Sequence, residues 1–317
     1  MFHCFIIGRY CVFHKPDGHF RWTGAERFRT IRSMKILTSL LACLLFAGSL
    51  PVQAQDIPPY MIGHKGSPEA PENTLPAYEE SVRSGFAYVE CDLSSTKDGV
   101  LVLLHDDTLN RTSSGHGRVQ EYTFAQLQQL DFGSWKGPAW SGTKIPSFEE
   151  FLSFCKGAGL APYVELKEQA GLWEILGALE LVKKAGMEAR VSWISFDAAI
   201  LQTLASADSS LRLGYVIKKL DEEKLDECRR LQKAAPFLFA DLDVDELEEA
   251  DIRALEKAKI PVEIWTLDSR LALLGLDDAI TGITSNTITP DQLKATLPHR
   301  FAGPWLKEQL RLRKPPL

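Results

Sequence analysis

Short apolar runs alternate with segments of helical periodicity between residues 60 and 297. This alternation is typical of a parallel sheet whose strands are joined by crossover helices. The predicted strands cover residues 60–64, 87–92, 100–105, 162–167, 191–195, 211–216, 237–241, 261–266 and 279–284. The predicted helices cover residues 74–84, 148–157, 173–185, 198–207, 222–232, 245–258, 269–274 and 290–297, with candidate caps at Asn73, Ser147, Gly157 and Gly186.

Nine predicted strands are one more than an eight-fold barrel requires. Only residues 93–99 separate the second and third strands, which is too short for a crossover between parallel strands. The separating segment ends in Asp98-Gly99, a strong hairpin signal. We therefore expect an α/β fold of the TIM-type (β/α)8 class, in which residues 100–105 add an antiparallel hairpin strand. With Asp98-Gly99 as a two-residue turn, Lys97 pairs with Val100 and His105 lies opposite Asp92.

A leader pattern precedes the periodic region. Met34-Lys35 is followed by an apolar run over residues 36–50 and by Val52-Gln53-Ala54, which suits a signal peptidase. We expect residues 34–54 to be a signal peptide cleaved after Ala54, which predicts a periplasmic or secreted protein. The alternatives are a retained membrane anchor and lipidation at Cys43, but about fifteen apolar residues fall short of the ~20 that span a bilayer. Residues 1–33 are expected to be an upstream extension or a disordered segment.

Removal of residues 1–54 makes the remaining chain strongly acidic. That segment holds seven Lys or Arg and two Asp or Glu residues, so the formal net charge changes from −6 to −11. An acidic surface gives no general attraction to phosphate backbones, so we expect no nucleic-acid partner. Residues 55–317 are long enough for one barrel domain. The three cysteines within them, Cys91, Cys155 and Cys228, form neither a disulfide framework nor a zinc pattern.

Residues 107–146 lack sustained periodicity and are rich in Gly, Ser, Thr and Trp. The segment follows a strand end, and strand ends form the catalytic face of a β/α barrel. We expect an insertion that shapes the substrate mouth, with Trp135 and Trp140 as wall elements. The alternative is that both indoles serve only to pack the insertion together.

Acidic residues stand at the ends of two apolar strands. Glu90 and Asp92 are two positions apart, so on a strand they face the same side, and Glu165 and Lys167 repeat that spacing. Charged side chains are rarely buried unless they are paired or bind a metal. Three converging carboxylates suit a hard cation, Mg²⁺ or Ca²⁺. The competing structural explanation is a Glu165–Lys167 ion pair together with helix capping by Glu90 and Asp92.

Two of the four histidines in residues 55–317, His64 and His105, end predicted strands. One such histidine alone is more often structural, but two beside three carboxylates can divide the acid and base roles of phosphoryl transfer. A metal and other cations would stabilise the charge that develops on the phosphoryl oxygens. His116 and His299 receive no role. The sequence contains no Gly-x-Ser-x-Gly elbow and no Walker-type phosphate loop.

Short motifs follow one another in a fixed order from about residue 61 to residue 286. They are His64-Lys65-Gly66, Pro71-Glu72-Asn73-Thr74-Leu75, Glu90-Cys91-Asp92, Thr96-Lys97-Asp98-Gly99, Leu104-His105-Asp106, Leu109-Asn110-Arg111-Thr112, Gly133-Ser134-Trp135, Ile145-Pro146-Ser147-Phe148-Glu149-Glu150, Glu165-Leu166-Lys167 and Trp265-Thr266. Each is weak alone, but the ordered set resembles the glycerophosphodiester phosphodiesterase family of the phospholipase-C-like TIM-barrel superfamily. The resemblance covers nearly all of the expected mature chain.

The resemblance implies a β/α barrel that hydrolyses glycerophosphodiesters to glycerol 3-phosphate and an alcohol. It implies that His64 and His105 are the acid/base pair, in an order that the sequence does not decide. One divalent cation, Mg²⁺ or Ca²⁺, would be held by Glu90, Asp92 and Glu165. Substrate or phosphate contacts would come from Lys65, Glu72, Lys167 and Trp265.

Two residues depart from the family's pattern. Lys65 stands where Arg is usual, and a compact ammonium grips phosphate differently from a planar guanidinium. Asp268 stands where Asn is common after the Trp-Thr pair and adds negative charge near the mouth. The expected substrate is a small-molecule glycerophosphodiester, with the head group and the oligomeric state open and no stable membrane insertion after leader cleavage. The alternatives are a phospholipase-D-like enzyme acting on lysolipid or sphingolipid, and a non-catalytic binding protein on the same barrel.

Overall fold

The computed structural model describes residues 4–7, 10–13 and 59–298. Strands β1 (Cys4–Ile7) and β2 (Tyr10–Phe13) pair antiparallel in a unit of their own. The expected signal peptide, its cleavage site after Ala54 and His299 lie outside the described residues. In the part of the chain that is described, no helix is both long and apolar enough to cross a lipid bilayer.

The strands of the second unit form a closed parallel barrel with one extra strand. They are β3 (Tyr60–Gly63), β4 (Tyr88–Ser95), β5 (Leu101–Leu103), β6 (Ala161–Leu166), β7 (Ser192–Ser195), β8 (Arg212–Ile217), β9 (Leu238–Asp243), β10 (Val262–Trp265) and β11 (Ile280–Ser285). All except β5 run parallel in chain order, and pairing of β11 with β3 closes the ring. β5 pairs antiparallel with β4. The predicted (β/α)8 barrel with an antiparallel hairpin strand is confirmed.

The predicted register of this hairpin is wrong by one residue. Leu93 lies opposite Leu103, and the backbone N–H of Leu104 donates to the carbonyl of Asp92 at 3.0 Å. The turn therefore contains three residues, 97–99, because the Thr96 hydroxyl accepts from the Val100 N–H at 2.9 Å and Gly99 takes a left-handed φ of 80°. Consequently, His105 does not lie opposite Asp92 but follows β5 in a loop.

Helices cover the outside of the barrel between most successive strands. They are α1 (Leu75–Arg83), α2 (Phe124–Leu127), α3 (Phe148–Ala158), α4 (Leu172–Ala185), α5 (Ala198–Ala207), α6 (Glu222–Ala234), α7 (Glu249–Ala258) and α8 (Pro290–Thr296). Ser147, a predicted cap, forms a capping box with Glu150, and Gly186 follows α4 as its cap in the left-handed conformation.

Four predicted details of the helices differ. Helix α3 ends at Ala158, with Gly159 as its C-cap at a φ of 80°, rather than at Gly157. Helix α7 begins only at Glu249, and residues 269–274 do not form an α-helix, since a 3₁₀ turn covers Ala272–Gly275 instead. Helix α1 begins after Thr74, so Asn73 is not its cap.

The insertion between β5 and α3 packs against β5 around a small apolar core. That core consists of Val102, Leu104, Leu109, Val119, Leu127, Phe132 and Ile145. The indole N–H of Trp135 donates to the carbonyl of Phe132 at 3.0 Å, and the carbonyl of Trp140 accepts from the Thr143 hydroxyl at 2.7 Å. The Trp135 side chain nevertheless remains 38% exposed, and the Trp140 contact involves only its backbone.

A polar cluster closes the amino-terminal end of the barrel. The Arg212 guanidinium at the start of β8 donates to Glu263 Oε1 at 2.6 Å and to the Tyr60 hydroxyl. Tyr60 and Tyr163 both donate to the same carboxylate, and the guanidinium carbon lies 4.8 Å from the ring centroid of Phe239. Glu263 has no solvent exposure. One cation and two phenols therefore contact Oε1 of this carboxylate, whereas its Oε2 is buried without a hydrogen-bond partner.

Candidate active site

The three predicted carboxylates meet at the carboxyl-terminal end of the barrel. β4 and β6 are neighbours in register, with Asp92 directly beside Glu165, and strand alternation places Glu90 on the same side as Asp92. All three side chains are buried, and one oxygen from each lies within 4.8 Å of the others. Three buried carboxylates at this distance stay ionised together only if cations compensate their charge.

Lys167 supplies part of that compensation. Its ammonium group donates to Asp92 Oδ1 and to Glu165 Oε1, the latter at 2.7 Å. Burial alone would raise the pKa of Asp92, but the positive charges of Lys167, His105 and Lys65 outweigh it and hold the pKa below its usual value. Burial and the neighbouring charge of Asp92 raise the pKa of Glu165. One ammonium therefore does not neutralise the whole cluster.

Glu90 is the carboxylate of the triad with an unpartnered oxygen. Its Oε2 accepts the backbone N–H of Lys65 at 2.7 Å, whereas its Oε1 is buried without a hydrogen-bond partner. Burial, reinforced by the charges of Asp92 and Glu165, raises the pKa of Glu90 well above its usual value. An unpartnered buried carboxylate oxygen beside two further carboxylates fits a hard divalent cation, for which Glu90, Asp92 and Glu165 are the available ligands.

His64 directly follows β3 and lies beside Glu90. Its Nε2 is 4.0 Å from Glu90 Oε2, and its Nδ1 lies 2.8 Å from the side-chain oxygen of Asn286. Burial and the charge of Lys65 lower the pKa of His64. The ring is therefore held at Nδ1, with Nε2 directed towards the carboxylates.

His105 is held at the same ring position by a different partner. Its Nδ1 lies 2.7 Å from Asp106 Oδ1. Arg111 donates to both oxygens of Asp106 at 2.8 Å and to both oxygens of Glu72 at 2.7 and 2.8 Å. These two-pronged contacts tie the loop after β5 to the segment that precedes α1.

The structure places the remaining predicted residues around the same centre. Lys65 Nζ is 3.9 Å from Glu72 Oε1, so Glu72 faces two cations rather than the carboxylate triad. Trp265 ends β10 and is half-buried. Its indole N–H donates to the carbonyl of Asp241 at 3.2 Å, and its ring packs edge-on against Phe196 with 5.4 Å between centroids.

Residues that the sequence did not single out support the predicted ones. Asn73 donates to Asp92 Oδ2 at 2.7 Å and accepts the Asp92 N–H at 3.2 Å, which orients this carboxylate. Asn286 holds His64, while Asp106 and Arg111 hold His105. Asn73, Asp106 and Arg111 lie within the short motifs and Asn286 lies at the end of the region that they span, but motif membership alone does not reveal the contacts.

Asp268, which stands where Asn is common in the family, is hydrogen-bonded to the loop that follows β11. Its Oδ1 accepts from the Asn286 N–H at 2.7 Å and from the Ser285 hydroxyl at 3.0 Å. Its Oδ2 accepts from the Asn286 side-chain amide at 2.8 Å. Burial would raise the pKa of Asp268, but the bonds from Asn286 and Ser285 outweigh it and lower the pKa. The carboxylate is therefore already engaged by the loop that follows β11.

Solved structures of similar proteins share this barrel. A phosphodiesterase from Oleispira antarctica, solved in complex with the product sn-glycerol-3-phosphate, matches with a TM-score of 0.69 and 25% identity over 76% of this chain and 97% of that one. A glycerophosphodiester phosphodiesterase from Agrobacterium tumefaciens matches with a TM-score of 0.62 over 75% and 99%, and its 24% identity supports the fold alone. The fold and the site thus define a TIM-barrel phosphodiesterase of the phospholipase-C-like class.

The sequence comparisons identify the family. The model of the glycerophosphoryl diester phosphodiesterase family matches residues 64–288, and the chain belongs to this family of phosphoric diester hydrolases. The glycerophosphodiester phosphodiesterase of Caldanaerobacter subterraneus subsp. tengcongensis is 28% identical over 233 residues, 70% of this chain and 93% of that protein. The Bacillus subtilis protein YhdW is 42% identical over 125 residues, which span 38% of this chain and about half (51%) of that relative.

Proposed function

We propose that this protein hydrolyses glycerophosphodiesters to glycerol 3-phosphate and an alcohol. The observation that carries the proposal is the buried triad of Glu90, Asp92 and Glu165, with one unpartnered carboxylate oxygen, beside two histidines that are each held at Nδ1. The solved product complex of the Oleispira antarctica relative supports the choice of substrate class.

In the proposed reaction, the two histidines divide the proton transfers. His64 Nε2, with a neutral amide at the other ring nitrogen, accepts the proton of the attacking water. His105, whose Nδ1 faces the Asp106 carboxylate, gives a proton to the leaving alcohol oxygen as the phosphorus–oxygen bond breaks. Each turnover thus moves one proton onto His64 and one off His105.

The cationic side chains near the triad stabilise the phosphoryl group. Lys167 and Lys65 carry positive charges beside the carboxylates, and Trp265 offers an apolar face for the glycerol unit. A divalent cation bound by Glu90, Asp92 and Glu165 would supply Lewis-acid stabilisation of the phosphoryl oxygens, and either Mg²⁺ or Ca²⁺ suits these ligands.

Removal of divalent cations is expected to abolish turnover. Chelator-treated, desalted protein should release glycerol 3-phosphate from glycerophosphocholine at about 1% of the original rate or less, because a main source of charge stabilisation is lost. Titration with Mg²⁺ and Ca²⁺ in separate assays should restore the rate. Glu165→Gln should stay inactive at all cation concentrations, whereas Glu168→Gln, an exposed neighbour, should behave as wild type. Full turnover after chelation would contradict the proposed metal dependence.

Two other functions are outcomes of the same assay. Hydrolysis of lysolipid in preference to glycerophosphocholine would favour the phospholipase-D-like alternative. Binding of the diester with no turnover under either cation would favour a non-catalytic binding protein. The retained triad and both histidines support the hydrolase.

We also propose that the protein is exported and acts as a periplasmic or secreted enzyme, with a mature chain that begins at Gln55. The support is the run from Met34 to Ala54. In a bacterial host, the intact mass of the exported protein should equal that of residues 55–317. Ala54→Phe should block cleavage because signal peptidase reads that position, whereas Gln53→Phe should be cleaved. An uncleaved chain in the cytoplasmic fraction would contradict export, and an uncleaved chain in the membrane fraction would contradict cleavage after Ala54.

A further inference from the structure

We propose that Asp268 is a positioning residue that fixes the tautomer of His64 through Asn286. The three side chains form a chain of hydrogen bonds, with Asp268 Oδ2 2.8 Å from Asn286 Nδ2 and Asn286 Oδ1 2.8 Å from His64 Nδ1. This inference rests on the proposed function, in which His64 Nε2 accepts a proton.

The direction of the chain follows from what each group can donate. An ionised carboxylate only accepts hydrogen bonds, whereas a side-chain amide presents an N–H₂ group on one side and an oxygen on the other. Because Asp268 faces one side of the Asn286 amide, the N–H₂ group must point to Asp268 and the oxygen to His64. An amide oxygen cannot donate, so the proton on the His64 ring must sit on Nδ1.

This tautomer determines that Nε2 is the nitrogen of His64 that can accept a proton. A neutral imidazole carries one N–H, so a proton on Nδ1 leaves the lone pair on Nε2. Nε2 is the nitrogen that lies 4.0 Å from Glu90 Oε2, on the side of the carboxylate triad. Asp268 therefore keeps His64 ready to accept a proton without touching the substrate itself.

Asp268 is also well placed to hold the amide still. Its Oδ1 accepts from the backbone N–H of Asn286 and from the hydroxyl of Ser285, so the carboxylate is fixed by the loop that it orients. An amide at position 268 would have one acceptor oxygen for three donors and could turn its own N–H₂ group towards Asn286. The orientation of Asn286 would then no longer be unique.

The kinetic test is a set of single and double variants. Asp268→Ala and Asn286→Ala should each lower kcat for glycerophosphocholine by about 10-fold, the lower part of the range for residues that orient a functional side chain. KM should change by less than about 2-fold, since neither residue is expected to contact the diester. Asp268→Asn should fall between Asp268→Ala and wild type. Thr287→Val, which removes a hydroxyl bonded only to the Asp268 backbone carbonyl, should retain wild-type kcat.

Coupling to His64 distinguishes positioning from a general effect on the fold. In a His64→Ala background, Asp268→Ala should cause no further loss of kcat, whereas in a His105→Ala background the full loss should persist. Equal losses in both backgrounds would overturn the proposal.

A spectroscopic readout separates this inference from the proposed function. The ¹⁵N NMR signals of the His64 ring should show the proton on Nδ1 in the wild-type protein and a mixture of tautomers in Asp268→Ala. This measurement needs no turnover, so it tests the positioning role even if the protein hydrolyses no diester. A wild-type ring protonated on Nε2 instead would overturn the inference.

Discussion

His64→Ala and His105→Ala are each expected to lower kcat/KM for glycerophosphocholine by about 10²- to 10⁴-fold, the usual contribution of a positioned acid or base. Both rings lie at the mouth of the barrel rather than in its apolar core, so the folded state should survive. Circular dichroism and the midpoint of thermal unfolding check this. His116→Ala is the matched control, because this histidine of the insertion is exposed and its backbone carbonyl, which the substitution keeps, accepts from the Tyr122 hydroxyl.

A change of leaving group separates the two roles. A glycerol phosphodiester of p-nitrophenol needs little protonation of its leaving oxygen, so a missing general acid matters less. His105→Ala should therefore recover most of its activity on this substrate, whereas His64→Ala should remain as slow as on glycerophosphocholine. The reverse pattern would exchange the roles of the two histidines, and equal recovery by both variants would exclude either assignment.

The sequence predicts the barrel and its acidic mouth because both depend on local periodicity. Alternation of apolar runs with helical segments specifies the (β/α)8 class, and a spacing of two places Glu90 and Asp92 on one face. Parallel neighbours then bring Glu165 beside Asp92, because the carboxyl ends of all barrel strands lie at one end.

The hairpin register depends on a turn that the sequence does not specify. Asp98-Gly99 is compatible with both a two-residue and a three-residue turn. The side chain of Thr96, which donates to Asp98 and accepts from the Val100 N–H, stabilises the longer one. One added turn residue is enough to move His105 out of the predicted position opposite Asp92.

The supporting contacts of the site could not be predicted because they join distant parts of the chain. Arg111 meets Glu72 across 39 positions, and Asn286 meets His64 across 222. Asn73 resembled a helix cap, but its left-handed φ of 56° turns the amide towards Asp92. Such pairings depend on how the loops fold over the barrel mouth, which no local pattern encodes.

The largest change in stability is expected from a substitution in the polar cluster at the amino-terminal end of the barrel. Arg212→Met should lower the free energy of unfolding by about 3 kcal/mol at pH 8, because Glu263 is then left buried without its cation. Methionine keeps much of the apolar stem that packs beside Phe239. Arg190→Met is the control, since Arg190 donates to the backbone carbonyl of Leu160 rather than to a carboxylate.

The loss from Arg212→Met should depend on pH. Burial already raises the pKa of Glu263, and Arg212 opposes that rise, so removal of Arg212 moves the pKa in the folded state further up. The folded variant then keeps a proton that the unfolded chain releases. Its stability therefore falls as the pH rises above the ordinary pKa of a glutamate, about 4.3, and the loss should be smaller at pH 5 than at pH 8.

A second substitution identifies the cause of this loss. Glu263→Gln in the Arg212→Met background removes the buried charge while keeping an acceptor oxygen for the hydroxyls of Tyr60 and Tyr163. It should restore more than half of the lost stability and abolish the pH dependence, as measured by urea unfolding at pH 5 and pH 8. If the double variant is less stable than Arg212→Met, the loss comes from packing of the guanidinium against the aromatic rings and not from the unpaired carboxylate.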